Sequence, residues 1–293
     1  MLYDITLRIE YAYDGMAAAG RHLLRLTPAT IPGQQRVIAA NLDVAPAPFE
    51  RNFSHDFFGN RCVGVSYDEA VEETAFLMQA RVDRAPLDPV FDVSPSLDRL
   101  TEELETILSV AADSPQHFRG RSPRIPPSSE VAAWARTQTS ASPSALDAVR
   151  TICTALHAEM AFDPEATAVD TPLEEAFRAR HGVCQDFTHI AICALRSVGV
   201  PAGYVSGFLR TIPPKGSARL EGADAMHAWV RAWCGMEIGW VEFDPTNNMM
   251  AGEDHVTVAV GRDYFDVAPV KGALRTAGSQ ETSQSVDMVA VSG

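Results

Sequence analysis

The sequence predicts an α+β protein: an N-terminal antiparallel β-sandwich, then a core in which helices pack on an antiparallel sheet. Three observations carry this expectation. The first 85 residues alternate apolar and polar side chains with almost no helical period. Helical stripes dominate residues 97–198, and a run of strand-like segments follows them. Helices followed by strands point to α+β rather than to a doubly wound sheet. At 293 residues the chain has room for two units, each with its own core.

Residues 2–13 put Tyr3, Ile5, Leu7, Ile9, Tyr11 and Tyr13 on one face and Asp4, Thr6, Arg8 and Glu10 on the other, the pattern of a half-buried strand. Residues 36–44 repeat it through Ile38, Ala40, Leu42 and Val44. In Phe57-Phe58-Gly59-Asn60-Arg61 a Gly-Asn pair stands between apolar runs, a hairpin signal, and Val63, Val65 and Tyr67 mark the return strand. Residues 74–82 alternate through Phe76, Met78, Ala80 and Val82. Residues 1–85 thus form the β domain. No chemistry is legible in it: His22 and His55 stand alone and read as surface or packing residues.

The composition shifts at Ala85-Pro86-Leu87-Asp88-Pro89, and residues 86–128 read as a helical and irregular connection. Leu97, Leu100, Leu104, Ile107, Leu108 and Ala111 form a helical stripe there, with an irregular stretch over 113–128. The core is assigned to residues 129–270. Helices are expected around 130–136 and 144–160, and Cys153 lies within the apolar stripe of the second. Thr171-Pro172-Leu173-Glu174 reads as a capping-box start with proline at the first helical position, opening a short helix that ends at His181-Gly182. Strands are expected over 201–211, 226–234, 240–244 and 256–260. The remainder, 271–293, reads as a C-terminal loop, Gly/Ser/Thr/Gln-rich over 272–285, with weak alternation over 285–291 that admits a last strand.

Residues 180–200 organise the core. Phe187, Ile190, Ala191, Ala194, Leu195 and Val198 recur at helical spacing, and Gly199 falls where a left-handed cap would end the helix. Cys184 lies at the opening of this buried helix, where unpaired amide N–H groups and the positive end of the helix dipole favour a thiolate.

Composition removes several function classes. A net charge of −14 argues against a nucleic-acid binder and against docking on an anionic membrane. No basic segment followed by an apolar run opens the sequence, and nothing approaches the roughly 20 apolar residues of a membrane span. The five cysteines, Cys62, Cys153, Cys184, Cys193 and Cys234, are scattered without a C-x-x-C pair, which suits reduced thiols in the cytoplasm better than a disulfide framework or a zinc site. Glu253 and Asp254 lack the ligand spacing of a calcium loop.

A nucleophilic cysteine needs a base and a group that orients the base. Asp224-Ala225-Met226-His227-Ala228-Trp229-Val230 puts His227 at the opening of an apolar strand. Gly239-Trp240-Val241-Glu242-Phe243-Asp244-Pro245-Thr246-Asn247 puts Asp244 at the end of the next. Antiparallel pairing would bring the two side chains together. The implied roles are Cys184 as nucleophile, His227 as proton carrier and Asp244 as its orienter, with the Cys184 N–H as one oxyanion donor. Gln185, Asp186, His189 and Trp229 are candidates for shaping the surroundings of the thiolate. Their plainer roles are capping for Gln185 and Asp186 and packing for His189, Trp229, Trp233 and Trp240. Cys193 reads as core. The scheme asks for no cofactor and no metal.

The motifs Gly182-Val183-Cys184-Gln185-Asp186-Phe187, Met226-His227-Ala228-Trp229-Val230 and Gly239-Trp240-Val241-Glu242-Phe243-Asp244-Pro245-Thr246-Asn247-Asn248 resemble those of bacterial transglutaminase-like proteins. Phe57-Phe58-Gly59-Asn60-Arg61 and Val258-Ala259-Val260-Gly261-Arg262-Asp263-Tyr264 resemble flanking parts of the same family, so the likeness spans nearly the whole chain. It implies a papain-like core with a Cys-His-Asp triad at Cys184, His227 and Asp244. It further implies a thioester intermediate formed on a peptide or protein amide, glutamine and isopeptide bonds included. Hydrolysis is favoured over transfer to an amine. The alternatives are a transglutaminase or other acyltransferase, an arylamine-type enzyme among them, and a non-enzymatic scaffold that keeps its triad. Specificity is expected in loops such as residues 211–223. Oligomeric state and the job of the β domain are not legible.

Overall fold

A computed structural model describes residues 1–86, 91–211, 224–275 and 278–291. Alternating apolar residues give the first third of the chain its strands: β1 (Leu2–Leu24), β2 (Gln35–Ala45), β3 (Glu50–His55), β4 (Arg61–Ser66) and β5 (Val71–Arg84). Tyr3, Ile5, Leu7 and Ile9 stand directly opposite Val82, Ala80, Met78 and Phe76 across β1 and β5, and all eight are buried. Such cross-strand pairs are the unit of sheet stabilisation. β1 runs eleven residues beyond the expected stretch at 2–13, because its later part leaves β5, shifts register between Ala12 and Ala17, and pairs with β4. The antiparallel N-terminal region is therefore two sheets joined through one strand.

The helical segments follow, beginning with α1 (Leu97–Thr106), a 3₁₀ turn at Pro115–Phe118 and α2 (Ser129–Gln138). Next come a 3₁₀ turn at Thr139–Ala141, α3 (Ala145–Glu159), the short strand β6 (Ala161–Phe162), α4 (Leu173–Ala179), the short strand β7 (His181–Gly182) and α5 (Cys184–Ser197). Serine hydroxyls at Ser96, Ser128 and Ser144 cap α1, α2 and α3 by accepting backbone N–H groups. α1 stops short of the predicted stripe: the Gln116 amide donates to the Leu104 and Ile107 carbonyls, and Leu108 lies exposed outside the helix. The expected capping box of α4 is not formed. Pro172 occupies the N-cap, the Thr171 hydroxyl accepts from the Ala168 N–H instead, and a left-handed Arg180 ends the helix before Gly182.

β8 (Ala202–Leu209), β9 (Ala225–Trp233), β10 (Trp240–Asp244), β11 (Met249–Met250) and β12 (His255–Gly261) form an antiparallel sheet in the order β11-β10-β9-β8-β12. α5 packs on β9 and β8, and α2, α3 and α4 pack on α5. Its residues from Gln185 to Leu195 are all buried, as expected of a helix enclosed on every side. Gly199 is left-handed at the predicted stop.

α6 (Tyr264–Val267) leads to β13 (Val270–Arg275) and β14 (Gln280–Ala290). The loop expected over 272–285 is thereby corrected, while the last strand admitted over 285–291 falls within β14: both strands pair with β1, β14 in register from Tyr13↔Gln280 to Tyr3↔Ala290. Residues 280–285 are exposed on both faces, so this strand is held by backbone pairing and carries no apolar alternation until Val286 and Met288. Leu87, Asp88 and Pro89 of the composition shift, and most of the 211–223 loop, lie outside the described residues.

Two buried amides join the β region to the edge of the core sheet. The Gln35 side chain donates to the Thr257 carbonyl and accepts its N–H, at 2.7 and 2.8 Å. Asn60, from the hairpin, makes the same pair of bonds with Val260, both at 2.8 Å. They satisfy backbone groups of β12 that an edge strand would otherwise leave open.

Candidate active site

Cys184 is the first residue of α5 and half-buried, whereas Cys62, Cys153, Cys193 and Cys234 are buried. Burial pushes all four of those thiols up, Cys234 to about 12. The helix start is held by Asp186, whose carboxylate accepts the Val183 N–H at 2.8 Å and the Thr167 hydroxyl at 2.6 Å. Desolvation outweighs these bonds and raises the Asp186 carboxyl. Gly182 is required by this turn: a Cβ there would lie 2.6 Å from the Asp186 carboxylate. The N–H groups of Cys184 and Gln185 lie in the first helical turn, where no intrahelical acceptor precedes them.

β9 and β10 bring the next two residues together as antiparallel neighbours. His227 Nε2 and Asp244 Oδ2 are 2.7 Å apart. Oδ2 also accepts from Asn247 Nδ2 at 2.7 Å and from His255 Nε2 at 3.1 Å, while Oδ1 accepts the N–H groups of Thr246 and Asn247 at 2.9 and 3.1 Å. Asp244 is fully buried, which by itself pushes its carboxyl up. The bonds from His227 and His255 reverse that and hold it well below the usual carboxylate range. His227 behaves in the opposite sense. Burial pushes its ring down, but hydrogen bonds to Asp244 and Cys184 and the Coulombic attraction of both raise it to about 10. With Nε2 on Asp244, Nδ1 is the nitrogen left for the thiol.

His255 was not singled out by sequence reasoning. It is fully buried, and its Nδ1 accepts the Gly252 N–H at 3.2 Å, so the proton sits on Nε2 and points at Asp244. The ligand atoms of His227, Asp244 and His255 lie within 4.8 Å of one another, a spacing that a metal ion could use. The hydrogen-bond pattern places protons on those lines instead, because ligation by His255 Nε2 would set an Nδ1–H against the Gly252 N–H.

The other candidate residues separate by their contacts. The Gln185 amide donates to the Val169 carbonyl at 2.9 Å and ties down the loop before α4. His189 is buried, accepts the Tyr264 N–H at 3.2 Å, and is lowered to about 3 by burial with Arg124 and Arg196 nearby. It is a neutral packing residue that fastens α6 to α5. Trp229 donates Nε1 to Glu242 at 2.7 Å, with its ring 5.1 Å from His255 and 6.2 Å from His227. It walls the rings around Asp244. A Cβ at Gly207, opposite His227 on β8, would lie 2.5 Å from the Trp229 ring, so that indole needs the glycine. Asp254, dismissed as a calcium ligand, accepts the Tyr3 hydroxyl and pairs with Arg210.

A helix that starts on a cysteine, with a histidine and an aspartate joined on adjacent strands and an N-terminal β region before them, fits one class. The chain belongs to the transglutaminase-like superfamily. The model of that superfamily matches residues 132–245, from α2 to just past Asp244, and the model of the bacterial transglutaminase-like N-terminal region matches residues 3–83. The chain is 30% identical to an uncharacterized Mycobacterium tuberculosis protein over 296 residues, covering 99% of this chain and 93% of that one. A Mycobacterium leprae relative is 30% identical over 284 residues, 95% of each chain. The crystal structure of a candidate cysteine protease from Cytophaga hutchinsonii is similar over 100% of this chain and 91% of that one, with a TM-score of 0.76 at 21% identity, a likeness of fold.

Proposed function

We propose that the protein is a cysteine-dependent amide hydrolase, a peptidase or amidase in which Cys184, His227 and Asp244 act as one unit. The observation that carries this reading is the His227 ring held on Asp244 at 2.7 Å, with Cys184 at the start of the neighbouring helix raising that ring. Membership of the superfamily supports cysteine-dependent chemistry in general terms.

The His227 ring, raised to about 10, carries a proton at neutral pH, and the reacting form pairs it with the Cys184 thiolate. The sulfur attacks the amide carbonyl, and the Cys184 N–H at the helix start meets the oxygen that becomes negative. The imidazolium passes its Nδ1 proton to the departing amine, leaving an acyl thioester on Cys184. Neutral His227 then takes a proton from water, the hydroxide adds to the thioester, and thiolate leaves with the acid as product. Asp244 keeps the ring oriented and favours its charged form throughout. The unpaired cysteines support a reducing, cytoplasmic setting for this chemistry.

Screening a peptide library for cleavage, with and without an added amine, tests the reading. Wild type should release acid products that Cys184→Ala does not. Amine-dependent ligation with no release by water would replace hydrolase by acyltransferase, and equal turnover by Cys184→Ala would remove the mechanism.

A further inference from the structure

The side chains of Asp244 and His227 are 0% and 9% exposed, whereas Asn247, which bonds to the same carboxylate, is an exposed residue. Its amide Nδ2 lies 2.7 Å from Asp244 Oδ2 and 3.4 Å from His227 Nε2. His227 Nε2 is itself 2.7 Å from that oxygen, so the three atoms form a tight triangle. An amide turned the other way would set its oxygen against the carboxylate oxygen, so the NH2 end faces Asp244. Both nitrogens then donate to one acceptor, and the 3.4 Å between them separates two donors.

The hairpin turn that joins β10 to β11 aims this amide. Asp244 stands opposite Met249, and residues 245–248 make the turn between them. Asp244 Oδ1 accepts the Thr246 and Asn247 N–H groups, which folds the turn around the carboxylate. Asn248 takes a left-handed φ of 50°, a conformation that asparagine tolerates better than most residues. Two residues of α3 fasten the turn. His157 donates Nδ1–H to the Thr246 carbonyl at 2.8 Å, and the Thr154 hydroxyl donates to Asn248 Oδ1 at 2.9 Å. α3 also packs on α5, so one helix supports both the turn that carries Asn247 and the helix that starts on Cys184.

We infer that Asn247 is a positioning residue: its amide clamps Asp244 Oδ2 beside the His227 N–H and keeps water off the bond between them. The role serves the amide hydrolysis proposed above and rests on that reading. A water admitted to Oδ2 would compete with the ring for the oxygen and free the imidazole to turn. A donor tethered to the turn fills that place permanently. Its bond also helps the two histidines hold the Asp244 carboxyl down. His255 grips the same oxygen from a fully buried position, so Asn247 is the donor on the side that meets solvent.

Proton NMR of the full chain tests this without a substrate. Imidazole N–H groups bonded to a carboxylate resonate far downfield; one resonance should vanish in His227→Gln and another in His255→Phe. In Asn247→Ala the His227 resonance should exchange with water about tenfold faster or be lost, while the His255 resonance persists. Asn247→Leu keeps the branched shape without the donor. There the His227 resonance should move further downfield, because Oδ2 accepts one bond fewer. With an amide substrate, Asn247→Ala should lower kcat about tenfold and leave KM within about twofold. Circular dichroism checks that each variant is folded. An unchanged His227 exchange rate in Asn247→Ala, equal loss of the His255 resonance, or an unshifted resonance in Asn247→Leu would each overturn the inference. Because the resonances need no turnover, failure of the hydrolase reading and failure of this inference are read separately.

Discussion

His255 donates its Nε2–H to the same Asp244 oxygen that holds His227, and the Gly252 N–H on its far nitrogen fixes it in that tautomer. The catalytic aspartate of the proposed triad is thus gripped by a second, wholly buried histidine. Replacing it by phenylalanine keeps a ring in the site and removes the donor. Leaving a buried acceptor short of one bond costs about 1–3 kcal/mol. His255→Phe should lower kcat about tenfold and move the acid limb of the pH–rate profile upward, because one of the bonds depressing the Asp244 carboxyl is gone. A profile that keeps its acid limb would reduce His255 to packing.

Cys184 should be the thiol that reacts. At neutral pH, iodoacetamide should alkylate it well before Cys153 or Cys193, both buried with thiols pushed up, as peptide mapping would read. His227→Ala should slow that labelling. Unchanged reactivity in the variant would mean that another group activates the sulfur.

The pair should also leave a mark on stability. The folded-state pKa of His227 is raised from 6.5 to about 10, so its contribution is fully present below about 6.5 and is lost as pH rises toward 10. Asp244 is lowered, so its contribution is present above the ordinary carboxylate range and is lost only in acid. The urea midpoint of wild type should fall between pH 7 and 10, and His227→Gln should flatten that fall. Parallel curves for the two proteins would show that His227 is not charged in the fold.

Gly207→Ala drives a Cβ into the Val256 carbonyl oxygen and to 2.5 Å from the Trp229 ring. Overpacking of this kind costs about 1–3 kcal/mol. Because Gly207 is the cross-strand partner of His227, the variant should lose activity as well as stability. Full activity with an unchanged denaturation midpoint would show that the strand yields freely.

The residues proposed for chemistry were legible because each sits at the end of a strongly patterned element: Cys184 at a helix start, His227 at a strand start, Asp244 at a strand end. His255 escaped notice because it is one residue in an apolar strand, and its role depends on the turn at Gly252, which has no periodic signal. β14 was hidden for another reason. Its first half is exposed on both faces and takes its conformation from β1, a partner more than 250 residues away in sequence. Gln35 and Asn60 read as ordinary polar residues until β12 lies against them.

The central claim is that acyl groups pass through the Cys184 sulfur. Single-turnover mass spectrometry with a cleavable peptide anilide, quenched in acid and mapped by peptide, reads this directly. The account predicts a transient acyl adduct on Cys184 that decays in water, with no adduct in Cys184→Ala. Turnover of the anilide with the acyl group on a different residue, or with none formed, would contradict it.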